Sequence, residues 1–361
     1  MEKINVTKTH LPDREKYKTY IDRIFDSGWL TNNGQLVQEL EKKLCDYLGV
    51  ENLLLVTNGT MALQIAYKAL GIQNEAITTP FSFVATTSSL VWEGINPVFA
   101  DIDKYTLNIN PDKIQERISG RTSAIIPVHV FGNACEIEKI QKIASENHLK
   151  VIFDAAHAFG VKYKNQSILN YGDASILSFH STKVFHTIEG GAIVFKDKAI
   201  YNKAKLMINF GIPDYDKISE LGINCKMNEF QAAMGLCVLE DIDNILFKRK
   251  EFYEVYREAF SHKPQLQLQT LNEMGTYNYA YFPLVFESES KLMEIKNILN
   301  TAGIFPRRYF YPSLENLAYL KTNQVTPVSD SVSSRILCLP LYEGLNNNIQ
   351  GKIIKIILTN I

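Results

Sequence analysis

Seven short apolar runs recur along the first half of the chain, with turn residues between them: Leu53–Thr57, Ala76–Thr79, Pro97–Ala100, Ala124–Val128, Val151–Asp154, Ser175–Phe179 and Ala192–Phe195. Several lack the polar/apolar alternation of a strand with one wet face, so they read as strands covered on both sides. Helical periodicity fills gaps between them. "TMALQIAYKALG" places apolar residues at helical spacing and stops at Gly71, and "EIEKIQKIASENH" repeats the pattern. Alternation of this kind predicts an α/β fold with a mostly parallel sheet sandwiched by helices.

The texture changes after the seventh run. Met227–Phe260 reads as one long helix or two in tandem. "YFPLVFE", a "SKLMEIKNILNTAG" helix and "SRILCLP" then suggest a small α+β unit. The expected division is a large α/β domain over 1–245, with an N-terminal helical segment, and a small C-terminal α+β domain over 246–361.

Length and composition agree with that division. A chain of 361 residues exceeds what one core usually serves. It is 46% hydrophobic and 21% charged, an ordinary balance for a water-soluble protein. The net charge of −1 offers no basic field for nucleic acid or an anionic membrane. Five scattered cysteines, with no C-x-x-C pair, argue against a disulfide framework or a zinc site and fit a reducing cytoplasm. "MEKINVTKTH" has no apolar signal-peptide core, and no stretch of about 18 residues is apolar enough to span a membrane. His180 and His186, or His129 and Cys135, have no carboxylate at ligand spacing, so no metal is expected.

Candidate chemistry sits at strand ends, where open α/β sheets place ligands. In "TNGTMAL" a strand ends, Gly59 permits a tight turn and a helix starts at Thr60. Such a start binds anions, although Asn58 or Thr60 could equally be a simple cap. In "VIFDAAHAFG", Asp154 closes a strand and could pair with a cation or cap a helix. In "SFHSTKVFHTIEGGAIVF", Lys183 follows the next strand, with Ser178 and His180 on one face. Lys183 is either a solvated loop charge or a nucleophile that holds a carbonyl cofactor. Pyridoxal phosphate needs this set: a lysine for its aldehyde, an acid for its ring nitrogen, and amide and hydroxyl donors for its phosphate. Phe83 in "TPFSFVAT" could face the ring or pack in the core. Trp29 is a candidate substrate contact or a loop anchor. Tyr309 has the same two readings, and Arg307 and Arg308 are candidate diphosphate contacts or a solvated pair.

Together with "GINCKMNEFQAAMGL", these motifs resemble the DegT/DnrJ/EryC1/StrS sugar aminotransferases, of the PLP-dependent type I aminotransferase fold, in order and spacing over nearly the whole chain. The resemblance implies that Lys183 carries pyridoxal 5'-phosphate, which becomes pyridoxamine 5'-phosphate during turnover. It also implies that Asp154 meets the pyridine nitrogen, that Phe83 stacks on the ring, and that Gly59, Thr60 and Ser178 bind the phosphate. His157 stands near the cofactor's 3-hydroxyl, where many members carry Gln. Asn224 resembles the residue that a partner subunit contributes to the phosphate site, which implies a homodimer with shared sites. Lys226 stands where many members carry Arg.

The presence of Lys183 argues against the dehydratase branch, where His replaces it. "SFHSTKVFHTIEGG" resembles members that aminate C4 of a nucleotide-linked 4-keto-6-deoxyhexose, and "PRRYFYPSL" resembles their sugar-nucleotide side. Trp29, Lys226, Arg308 and Tyr309 are the substrate-binding residues so implied. The expected reaction moves an amino group from L-glutamate to dTDP-4-keto-6-deoxyglucose, giving dTDP-4-amino-4,6-dideoxyglucose. The alternatives are a C3-aminating or UDP-sugar member, or a non-catalytic cofactor-binding homologue.

Overall fold

The computed structural model describes residues 3–214, 216–320 and 322–361. All seven apolar runs become strands of one sheet, in the order Leu53–Val56, Gly191–Phe195, Ala174–Ser178, Lys150–Asp154, Thr122–Ile126, Glu75–Thr78 and Asn96–Phe99. Only Gly191–Phe195 runs antiparallel to its neighbours; the other pairings are parallel. The strands are apolar throughout because helices cover both faces, which separates one core containing Leu55, Ile125 and Phe153 from another containing Leu54, Ile126 and Ile152.

The "TMALQ" helix is Gly59–Leu70. Asn58 caps its start by accepting from the Met61 amide, and Gly71 ends it in a left-handed conformation. Met227–Phe260 resolves into a single helix, Glu229–Phe260, opened by a reciprocal Asn228–Gln231 cap. Its 32 residues span about 48 Å. Early positions such as Leu236 pack in the sheet core, and Tyr256 and Phe260 pack in a third core. That core lies under a three-stranded antiparallel sheet of Leu266–Leu268, Phe282–Phe286 and Ile336–Leu339. Residue 245, the expected boundary, therefore falls inside one continuous helix.

The N-terminal helical segment is two helices, Arg14–Ser27 and Gln35–Leu48. Ahead of them, Ile4–Asn5 pairs with Ile304–Phe305, and Leu341 donates to the Val6 carbonyl. Residues 4–6 thus run as a strap along the C-terminal unit. A two-residue strand has no periodicity to read, which is why the strap does not show in the sequence pattern. All five cysteines are free. No helix among the described residues is long and apolar enough to cross a membrane, and no described cluster of His, Cys, Asp or Glu could hold a metal.

Candidate active site

A cavity of about 530 Å³ opens at the C-terminal ends of the parallel strands. Asp154 ends its strand there and is buried. The Thr86 hydroxyl donates to Oδ2 at 2.8 Å and the Ala156 amide to Oδ1 at 3.1 Å. Burial raises the carboxyl above its usual range, while these donors and Lys183 pull it back.

Lys183 sits beyond the Ala174–Ser178 strand, in a loop that folds back on itself. Phe179 donates to the Gly190 carbonyl, Thr187 to Phe179, and the Lys183 amide to His180 at 2.9 Å. Burial lowers the Lys183 ammonium from 10.5 to about 8, and Asp154 offsets part of the fall. About a tenth of the amine is therefore neutral at pH 7.

Two glycines allow the segments to converge. A Cβ on Gly59 would lie 2.9 Å from Ser178 Cβ, and one on Gly191 would lie 2.8 Å from the Gly59 nitrogen. The helix start is thereby pressed between two strand ends. Asn58 takes the Met61 and Ala62 amides, which leaves those of Gly59 and Thr60 without an acceptor among the described residues at the cavity wall. Open helix-start amides of this kind suit an anion, and Ser178 lines the cavity beside them.

His157 is buried, with its ring parallel to Phe310 at 5.7 Å. Its Nδ1 faces the Phe131 amide at 3.3 Å and must accept that hydrogen bond. Burial holds the imidazole well below its usual range, with Lys183 adding to the effect. The ring is thus neutral and carries its proton on Nε2. Phe83 lines the cavity with 49% of its surface exposed, a large apolar face left open to a ligand.

One expected contact lies away from this cavity. Arg308 does not line the cavity. Its guanidinium stacks on Tyr311 at 3.6 Å and bonds Glu289 at 2.6 Å and the Ser334 carbonyl at 2.8 Å. Arg307 lines the cavity instead, over the Tyr309 ring at 4.7 Å. Arg307 is paired through its backbone with Cys338, and the chain turns at once after it, the Tyr309 amide donating to the Arg307 carbonyl at 3.0 Å across Arg308. Tyr309 does line the cavity. Thr86, Glu189, Tyr281 and Phe310 line it too and were not singled out. Thr86 could have been found as the small hydroxyl residue closing "TPFSFVAT".

Three expected residues lie elsewhere on this chain. Asn224 bridges to Asn209, and Lys226 bonds the Asn209 side chain at 2.8 Å in a second hollow with Asn32 and Asn33. Trp29 is 53% exposed. All three neighbour exposed apolar residues, including Leu30, Phe210, Ile223 and Leu221. Backbone bonds tie Leu30 to Glu229 and Phe210 to Ile223.

The model of the DegT/DnrJ/EryC1/StrS aminotransferase family matches residues 12–358. A dTDP-4-amino-4,6-dideoxy-D-glucose transaminase of Shigella dysenteriae is 45% identical over 363 residues, covering 99% of each chain. One of the same name from Escherichia coli is 39% identical, covering 98% of each. Among solved structures, DesI in the presence of its TDP-sugar product superposes with a TM-score of 0.93 at 30% identity, covering 99% of this chain and 92% of that one. Helicobacter pylori PseC, an aminotransferase, superposes with a TM-score of 0.92 at 27% identity, covering 99% of each.

Proposed function

The chain belongs to the DegT/DnrJ/EryC1/StrS aminotransferase family, and from that premise we propose that it moves an amino group from L-glutamate to C4 of dTDP-4-keto-6-deoxyglucose, with pyridoxal 5'-phosphate held at Lys183. The enzyme is a transaminase of the α/β, type I aminotransferase fold. The names of the Shigella and Escherichia relatives support the dTDP sugar and the C4 position. The observation that carries the reading is one cavity uniting a partly neutral lysine, a buried carboxylate and unpaired helix-start amides.

These residues fit the cofactor. The Gly59 and Thr60 amides and the Ser178 hydroxyl would take its phosphate. Asp154, fixed by Thr86 and Ala156, would hold the ring nitrogen protonated. His157 would donate Nε2–H to the ring oxygen, and Phe83 would cover the ring face. When bound, the cofactor draws electrons from the carbon that carries the substrate nitrogen, so a proton can leave that carbon.

Lys183 then moves that proton. An amine near 8 accepts it without a large penalty and returns it in the second half of the cycle. Arg307 would hold anionic substrate groups over Tyr309. Donor and acceptor use the same cavity in turn, so the kinetics are ping-pong. We place Trp29, Asn224 and Lys226 in the site of a second subunit, because they cluster with exposed apolar surface that a homodimer would cover.

The test is incubation with L-glutamate and dTDP-4-keto-6-deoxyglucose, with the product read by NMR. A C4 amine and 2-oxoglutarate are expected. A C3 amine, or no amine from any of several amino donors, would sink the assignment.

A further inference from the structure

The loop that carries Lys183 closes on a costly turn. Ile188 is β-branched and sits in the left-handed region at φ 69°. The next residue, Glu189, lines the cavity, with Oε1 3.6 Å from His180 Nε2. The other ring nitrogen of His180 is fixed by the Thr182 hydroxyl at 2.8 Å. A His–Glu pair therefore stands at the cavity wall beside Lys183, and its geometry depends on the turn.

His186 braces that turn. It is buried and makes two hydrogen bonds with opposite demands. Its Nε2 meets the His10 carbonyl at 2.8 Å and must donate; its Nδ1 meets the Ile188 amide at 3.2 Å and must accept. Only the neutral Nε2–H form satisfies both, and burial lowers the affinity of this ring for a second proton. The His10 end is anchored in turn. His10 Nε2 lies 3.1 Å from Asp241 on the long helix, and Nδ1 lies 3.1 Å from Glu343 of the C-terminal unit. The N-terminal strap thus reaches the active-site loop through one imidazole.

We propose that His186 is a positioning residue: pinned by the strap, it holds the 186–189 turn in its left-handed form and so keeps Glu189 against His180 at the cavity wall beside Lys183. The inference rests on the transaminase reading given above.

The test uses the full-length holoenzyme with His186→Phe, Glu189→Gln, the double variant, and Ile188→Gly in the His186→Phe background. His186→Phe is expected to lower kcat about tenfold, and Glu189→Gln at least as much. The double variant is no worse than Glu189→Gln alone, because both changes remove the same contact. Ile188→Gly restores His186→Phe to within about threefold of wild type, since glycine adopts the turn freely. Additive losses, no rescue by glycine, or wild-type kcat in either single variant overturns the proposal. Should His186→Phe fail to fold, His186→Asn, which keeps an acceptor for Ile188 but cannot reach His10, takes its place under the same criteria. Ring ¹⁵N NMR of the histidine-labelled protein separates this failure from failure of the transaminase reading. A neutral Nε2–H ring at His186 is expected at pH 7. A charged or Nδ1–H ring overturns the brace even where wild-type turnover is normal, and it remains a test if wild type shows no turnover.

Discussion

The lowered Lys183 ammonium makes a quantitative prediction. At pH 7 an amine with its ordinary value of 10.5 is neutral in about 3 of 10⁴ molecules, whereas one near 8 is neutral in about a tenth. Burial thus raises the reactive fraction by roughly 300-fold. Burial is the larger cause and Asp154 opposes it, so Asp154→Asn should lower the value further. The assay is trapping of pyridoxal by cyanoborohydride at Lys183 in cofactor-free protein, quantified by peptide mapping from pH 6 to 11. The rate should rise with a midpoint near 8, and Asp154→Asn should move that midpoint to lower pH. The same shift bears on stability. Between about 8 and 10.5 the unfolded chain holds a proton that native Lys183 has lost, so stability gains with rising pH, and the full cost is present below 8. A fall from 10.5 to about 8 caps that cost at about 3 kcal/mol, and water reaching the cavity reduces it to about 1–2 kcal/mol. Lys183→Met should therefore stabilise cofactor-free protein at pH 7 and give no benefit near pH 11. A midpoint at 10 or above, or an upward shift in Asp154→Asn, would refute the reasoning.

Gly59→Ala puts a methyl 2.9 Å from Ser178 Cβ, so it should cost about 1–3 kcal/mol of stability and weaken pyridoxal phosphate binding at least tenfold, read by thermal unfolding and cofactor titration. Arg307→Ala should raise substrate KM at least tenfold while Arg308→Ala leaves it within about twofold; the reverse order would return Arg308 to the site. His10 is raised above 6.5 chiefly by its bond to Glu343, so the stabilisation it gives is full below 6.5 and is lost as pH climbs through the raised value. Denaturant titrations should show a larger gap between wild type and His10→Leu at pH 6 than at pH 9. Mixed dimers of Lys183→Ala and Asn224→Asp should recover about a quarter of wild-type activity, since half the dimers are mixed and each has one intact site; no recovery after confirmed subunit exchange would place Asn224 within its own chain's site.

The sheet was legible because burial on both faces leaves an unbroken apolar run, and each of the seven runs became a strand. Strand ends in turn located Asp154 and Lys183, since a parallel sheet gathers its C-terminal ends on one side. The choice between Arg307 and Arg308 was not legible. A long-range bridge of Arg307 to Cys338, followed at once by a tight turn across Arg308, decides it, so no local pattern reveals it. Nor was Glu189, whose place depends on a left-handed Ile188 that side-chain preference argues against.

The pair of glycines after Glu189 shows how packing hides in a motif that reads as a plain turn. Gly190 and Gly191 look like ordinary turn residues in "HTIEGGAIVF". A Cβ on Gly190 would run into the Thr187 hydroxyl, which already donates to the Glu189 carbonyl at 2.8 Å. One on Gly191 would meet the Asn58 carbonyl carbon at 2.6 Å. Both glycines therefore serve close approach rather than a left-handed backbone, as neither has positive φ. The first lets the turn close behind Glu189. The second lets the start of the Gly59–Leu70 helix lie against the strand that follows the lysine loop. Two adjacent small residues thus set the spacing between the start of the Gly59–Leu70 helix and the loop that carries Lys183.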